Sequence, residues 1–343
     1  MARKVRCLVE ILTFLLGLSS LASCKDTSEE EAGVVSETKE VVVVFEHDAL
    51  GDDSYNDMIY KGLLKYIKEK PSNVKVNYYN PSSREAAEKI VKAWKNDTLS
   101  NNQQLLVLAG SSYKDLVVRE FEDSPLETKK KNILLFESDE VDIDGVSTFK
   151  FCMYGVSYIV GAMIGQYGFT PVVIKGCSTD TVTDCYVDGF RNGYFDYNNS
   201  DSFIYGEMSL SDSFDGYYME DSVYVLMYEW TKICNFVFPV VGGSVAGVYR
   251  YLREYPVACV TVGIDVDQSD YCEMLIGNII KSVDVVLVNY LKEWVAGGTL
   301  TKSATFDMRS GYTYWKSDLN ANDVIDGIES IAMEKEEEYE NSH

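Results

Sequence analysis

Two aspartates, Asp265 and Asp267, stand at the end of an apolar run in the stretch "TVGIDVDQSD". Carboxylates at that depth suit either a hard cation or the hydroxyl groups of a ligand. Alternate residues of a strand point to opposite faces, so the two do not converge unless the strand ends between them. The reading that follows has Asp267 capping the next helix while Asp265 faces a cleft alone. A single carboxylate so placed accepts from two neighbouring hydroxyls, as a vicinal diol offers. Other chemistry is scarce. The chain has two histidines, His47 and His343, and no GxSxG, CxxC or HExxH spacing, so no catalytic residue, metal or cofactor is expected. "VVGGSVAGV" is not a phosphate-binding loop, and its glycines, Gly242 among them, make a tight turn or let backbone approach an uncharged ligand.

The elements that position these residues alternate. "VVVVF" (Val41 to Phe45) is a continuous β-branched run of the kind a strand covered on both faces shows. The next segment, "GDDSYNDMIYKGLLKYIKEK", carries apolar residues at helical spacing, with Asp53 or Ser54 able to cap its start. The βαβα order continues to "KNILLFESD" and restarts at "TPVVIKG". This predicts an α/β protein of two doubly wound parallel-sheet lobes joined by a hinge, with ligand in the cleft at the carboxyl ends of the strands. Asp52, Asp53, Ser111, Glu137, Gly242, Gly243 and Asp265 all fall at such ends. The segment from "CEMLIGNIIKSVDVV" onward reads as one long helix, followed by "SATFDMRSGYTYWKS" returning to the first lobe. The expected boundaries are a first lobe over 40–150, a second over 151–270, a helix and return segment over 271–330, and an acidic tail over 331–343.

Residues 1–23 have a basic start, an apolar stretch and small residues before Cys24, the pattern of a signal peptide. "LASC" resembles the lipobox of bacterial lipoproteins, in which the cysteine carries lipid, so Cys24 is the expected anchor and 24–39 a flexible acidic tether. The formal charge is −23, and residues 1–23 contribute net +2 (Arg3, Lys4 and Arg6 against Glu10), so their removal leaves −25. Such acidity argues against nucleic acid and for a solvated monomer. Six cysteines remain in the body. They read as buried thiols, or in the case of Cys177 and Cys185 as a disulfide around "STDTVTD".

Five stretches, "GDDSYNDMIYKGL", "VDGFRNGY", "FPVVGGSVAGVYRYLRE", "VTVGIDVDQSDY" and "IKSVDVVLVNYL", together resemble the basic membrane protein family of substrate-binding lipoproteins. The resemblance spans roughly 40 to 320. It implies a type I periplasmic-binding-protein fold, a purine nucleoside as ligand and an ABC permease as partner. Within it, "DDSYN" gives Asp53, Ser54, Tyr55 and Asn56, with Tyr55 stacking on the base. Phe238 would be the second stacking aromatic, Asp265 the ribose carboxylate, Lys281 the lysine of the following motif, and Glu137 the acid at the purine edge. Pro239, where the family commonly has glutamine, and the many tyrosines between 206 and 230 depart from its pattern. Readings that stay open are a different solute such as a sugar, a surface receptor, and a nucleoside-processing enzyme.

Overall fold

The computed structural model describes residues 38–342 apart from 99, 101, 124–125, 127–129, 199–204 and 318–321. The signal peptide, Cys24 and nearly all of the tether lie outside the described residues.

Six strands, β1 (Lys39–Phe45), β2 (Val74–Tyr79), β3 (Gln103–Ala109), β4 (Lys131–Phe136), β5 (Val146–Phe151) and β11 (Ser303–Phe306), form one sheet in the order β11-β5-β4-β3-β1-β2. All of its pairings are parallel. A second sheet orders β12-β10-β9-β8-β6-β7, from β6 (Pro171–Cys177), β7 (Gly206–Ser211), β8 (Phe236–Val240), β9 (Val260–Asp265), β10 (Leu275–Lys281) and β12 (Thr313–Lys316). It is parallel except for β12 against β10. The helices are α1 (Tyr55–Glu69), α2 (Arg84–Asn96), α3 (Lys114–Phe121), α4 (Tyr154–Gln166), α5 (Asp184–Tyr197), α6 (Glu220–Trp230), α7 (Val245–Glu254), α8 (Val283–Val295) and α9 (Asn322–Glu340).

The valine run of β1 shows why the strands read as unbroken apolar segments. Val41, Val43 and Phe45 enter one buried cluster and Val44 enters another on the opposite face, because helices cover both sides of a parallel sheet. The chain crosses between lobes three times: after β5 into α4, after β10 into α8, and between β11 and β12. Helix α8 is held to the first lobe, where Trp294 donates to Asn132 at 3.1 Å and Tyr290 stacks on Phe149. Helices α4 and α5 pack backbone to backbone in the second lobe. A Cβ at Gly161 would stand 2.0 Å from the Phe190 carbonyl and one at Gly189 2.2 Å from that of Tyr154, so neither position admits a side chain.

Three expectations are corrected. Residues 272–297 are not one helix: β10 ends at Lys281 and α8 starts after Ser282. The short apolar run "LIGNIIK" fits either period, and pairing with β9 decided it for strand. The return segment divides, with β11 in the first sheet and β12 in the second. The acidic tail continues a folded helix, α9, on which Ile328, Ala332 and Glu336 form a buried stripe at i, i+4 and i+8. All six described cysteines are free thiols, Cys177 and Cys185 included. No helix among the described residues is long and apolar enough to cross a membrane.

Glu336 links α9 to two of the three crossings. It is 1% exposed and accepts from the backbone N–H of Gly155, at the start of α4, at 2.9 Å and from that of Met308, between β11 and β12, at 3.0 Å. Burial pushes its carboxyl up to about 7 despite these two donors, with Asp307 and Glu340 adding to the rise. An acid whose folded pKa exceeds its unfolded value holds its proton more tightly when folded. Its contribution is therefore fully present below about pH 4.5 and is lost as the pH rises through 7. Urea unfolding at pH 5 and pH 8 is expected to differ by about 3 kcal/mol more in the native chain than in Glu336→Gln. Parallel pH profiles would contradict this.

Candidate functional site

The carboxyl ends of both sheets face each other across one cavity, as open α/β sheets dictate. It encloses about 730 Å³ not filled by protein atoms, part of it open solvent. The first lobe contributes Glu46 after β1, Asp52, Tyr55 and Asn56 at the start of α1, Ser111 after β3, and Glu137 after β4. The second contributes Asp180 after β6, Tyr186 on α5, Tyr217 and Tyr218 before α6, Gly242 after β8, and Asp265 and Lys281 at the ends of β9 and β10.

Lys281 lies at the centre of one end, 4% exposed. Its ammonium is 3.0 Å from Glu137 Oε1 and 3.5 Å from Asp265 Oδ1. The rings of Tyr55, Tyr186 and Phe151 surround it at 4.9, 5.3 and 5.5 Å. Burial opposes its charge, but Asp265 and Glu137 outweigh burial and hold the ammonium above its ordinary value. On Glu137 burial wins, and the carboxyl is pushed up even beside the lysine. The Tyr186 hydroxyl donates to Asp265 Oδ1 at 2.6 Å. One oxygen of Asp265 is thus doubly engaged, and Oδ2 has neither a hydrogen bond nor an ion pair among the described residues. Both carboxylates sit on left-handed backbone, Glu137 at φ +51° and Asp265 at φ +68°. Aspartate adopts that region at modest cost and glutamate rarely does, so Glu137 carries strain of about 1–3 kcal/mol.

Asp52 builds the start of α1. Its carboxylate accepts from the N–H groups of Ser54, Asn56 and Asp57 and from Asn56 Nδ2, at 2.9 to 3.2 Å, which satisfies the free donors of a helix N-terminus. Burial raises its pKa even so. Gly242 has φ +54°, and a Cβ there would meet the Tyr217 ring at 3.1 Å. Glycine is thus required both for the turn and for the approach of Tyr217.

The lobes are closed on this cavity. Besides the Lys281–Glu137 pair, Gln268 Nε2 of the second lobe donates to the Asp53 carbonyl of the first at 3.3 Å, and Ser111 Oγ lies 3.5 Å from Asp180 Oδ2.

Tyr55, Asn56, Glu137, Gly242, Asp265 and Lys281 therefore come together as the sequence suggests, and three residues do not. Asp53 is exposed and touches the other lobe through its carbonyl. Ser54 is buried outside the cavity lining, and the cap of α1 is the Asp52 carboxylate. Phe238 is fully buried and stacks on Phe190 at 4.5 Å in the core of the second lobe. Its alternate neighbour on β8, Val240, lines the cavity instead. The aromatics that the second lobe presents are Tyr186, Tyr217 and Tyr218; the density of tyrosines between 206 and 230 was the signal for the last two, and Tyr186 had none. Asp267 caps no helix. It accepts from Ser269 and Asn278 and pairs with Lys316, whose ammonium holds its carboxyl down at about 2. Among the described residues no cluster of three His, Cys, Asp or Glu side chains is arranged to hold a metal ion.

Fold and cleft are those of a two-lobed solute-binding protein. A solute-binding protein of an ABC transporter system from Aeropyrum pernix K1 superposes with a TM-score of 0.69 at 17% identity, covering 87% of this chain and 86% of that one. A carbohydrate transporter protein from Acidothermus cellulolyticus 11B, in complex with myo-inositol, gives 0.58 at 12% identity over 86% and 99%. A transcriptional activator of the comK gene from Bacillus halodurans gives 0.61 at 16% identity over 86% and 96%. At these identities the likeness is one of fold. A family model settles the relationship: residues 39–337 match Bmp, the PnrA-like ABC transporter substrate-binding proteins, and the chain belongs to that family. No curated protein matches.

Proposed function

We propose that this substrate-binding protein takes a purine nucleoside, or a similar flat ring joined to a vicinal diol, between its lobes. The mechanism is hinge closure without covalent chemistry. The observation that carries the reading is the division of the cavity into two kinds of wall. Asp265, steadied by Tyr186 and Lys281, offers a free carboxylate oxygen at one end, and tyrosines from both lobes, Tyr55, Tyr217 and Tyr218, supply aromatic surface. Asn56 Oδ1 is buried with no hydrogen-bond partner, as expected of a group that a ligand completes. Stacking is worth about 1–3 kcal/mol per base, enough for much of a micromolar affinity. The protein would act as a monomer tethered to a membrane by lipid on Cys24 and would deliver its ligand to an ABC permease. A Cys24→Ser chain is then recovered in soluble form.

The cavity wall holds five carboxylates, on Glu46, Asp52, Glu137, Asp180 and Asp265, against one lysine. A phosphorylated ligand is therefore disfavoured. A thermal-shift screen checks the reading. A nucleoside at about 100 times its dissociation constant stabilises the native state by roughly 2.7 kcal/mol, a shift of degrees. Free base, ribose and the nucleoside monophosphate are expected to give little. Carboxylate-rich walls also suit a polyol, and a cyclitol or sugar that shifts the melting point while nucleosides do not would replace the nucleoside reading.

A further inference from the structure

Donors and acceptors on the cavity wall are unequal. At the Asp265 end Lys281 and the Tyr186 hydroxyl are engaged by carboxylates, and Asp52 is engaged by the start of α1. Two further carboxylates of the cavity wall, Glu46 of the first lobe and Asp180 of the second, are in no ion pair among the described residues. Asp180 is 6% exposed. It accepts from the Tyr217 hydroxyl at 2.8 Å and the Val182 N–H at 3.2 Å, and it reaches Ser111 of the first lobe at 3.5 Å. Glu46 accepts from Ser112, at 3.4 Å through the N–H and also through the side chain, with Arg84 near enough to ease its charge. Burial pushes both carboxyls up, and Asp180 pushes that of Glu46 further. Independently, Asn56, 8% exposed, presents Oδ1 with no hydrogen bond to the same cavity. The groups left over on this wall accept far more than they donate.

Resting on the nucleoside reading, we propose that Asp180 is a specificity-determining residue that accepts hydrogen bonds from an amino group on the ring of the ligand, so that amine-bearing nucleosides are preferred to counterparts with hydrogen in place of that amine. With the diol at Asp265, the ring extends toward Tyr217 and Asp180. Glu137, the acid that sequence resemblance assigns to the ring edge, lies instead beside Asp265 and is already bonded to Lys281 and to the Phe151 N–H. Asp180 keeps acceptor capacity beyond its bonds to Tyr217, Val182 and Ser111, and an N–H donor on a ligand fills it. Because Asp180 and Ser111 belong to different lobes, the contact is complete only in the closed form. Recognition of the amine and closure are thereby coupled.

The test is calorimetry with the full chain on guanosine against inosine and adenosine against purine riboside, two pairs that differ by one amine each. In at least one pair the amine is expected to improve affinity by about tenfold or more. Asp180→Asn keeps the acceptor for Val182 N–H, and it should bring that ratio to within about twofold whatever its effect on overall affinity, with an unchanged melting temperature of the ligand-free chain reporting an intact fold. The proposal is overturned if neither pair is discriminated, or if the preference survives in Asp180→Asn. Failure of every nucleoside to bind the native chain would instead overturn the nucleoside reading beneath it.

Discussion

Asp265→Asn is expected to weaken nucleoside binding by about 10- to 100-fold with little change in folding. A hydrogen bond to a charged acceptor is worth about 1.5–3 kcal/mol, and a diol makes two to one carboxylate. Asparagine is the informative replacement because Asp265 stands at φ +68°. Asparagine tolerates left-handed backbone, whereas alanine adds strain that would confuse lost binding with a distorted strand end. The substitution also removes one of the two negative partners of Lys281 and leaves Glu137 as the other. Titration calorimetry with the tightest nucleoside from the screen measures the effect, and an affinity within about threefold of the native value would sink the diol assignment.

Lys281→Met should act on the lobes themselves. Its removal leaves Glu137, 6% exposed, and Asp265 facing each other without a cation. Breaking a buried pair by deleting one partner costs about 3–5 kcal/mol. The molecule has an escape that a single-domain core lacks, since Glu137 belongs to the first lobe and Lys281 to the second: opening the cleft returns the carboxylates to water. The expected result is a larger radius of gyration in solution scattering without ligand, and nucleoside affinity lowered by about 100-fold or more. Glu137→Gln in the same chain should recover part of the compactness, because the uncompensated charge is then gone. Native compactness together with native affinity in Lys281→Met would show that the pair does not hold the lobes closed.

The same ends of strands that carry these groups carry the backbone strain. Asp53, Glu137 and Asp265 all have positive φ, and each marks the point where a strand or its following loop turns its side chain or carbonyl toward the other lobe. In the closed form Gln268 contacts the Asp53 carbonyl and Lys281 contacts Glu137 across the cleft, while Tyr186 and Lys281 hold Asp265 within the second lobe. Opening removes the first two of these partners. On the proposed reading, ligand binding and closure are linked through Glu137 and Lys281, which line the cavity and join the lobes.

Much of this was legible in residue order. The alternation of apolar runs with amphipathic helices determines two doubly wound lobes, since a parallel strand covered on both faces has no polar side to show. The rule that ligands lie at strand carboxyl ends then picks out Glu137, Asp265 and the glycine turn. Tyr55, Asn56 and Lys281 came from motif resemblance, and the structure gathers them at the same cavity. Sequence could not choose between Phe238 and Val240, because i and i+2 of a strand share one face and only depth along it separates them; Phe238 stacks on Phe190 in the core, and Val240, the last residue of β8, reaches the cavity. Nor could it read "LIGNIIK" as a strand, since short apolar runs fit both periods, or see that a tail dense in glutamate buries one of them, Glu336, under α4. Tyr217 and Asp180 escaped notice for a related reason. Each sits in a loop held by residues distant in sequence, Tyr217 against Gly176 and Gly242 and Asp180 against Tyr217 and Ser111, and a contact between residues far apart in the chain leaves no local spacing to read.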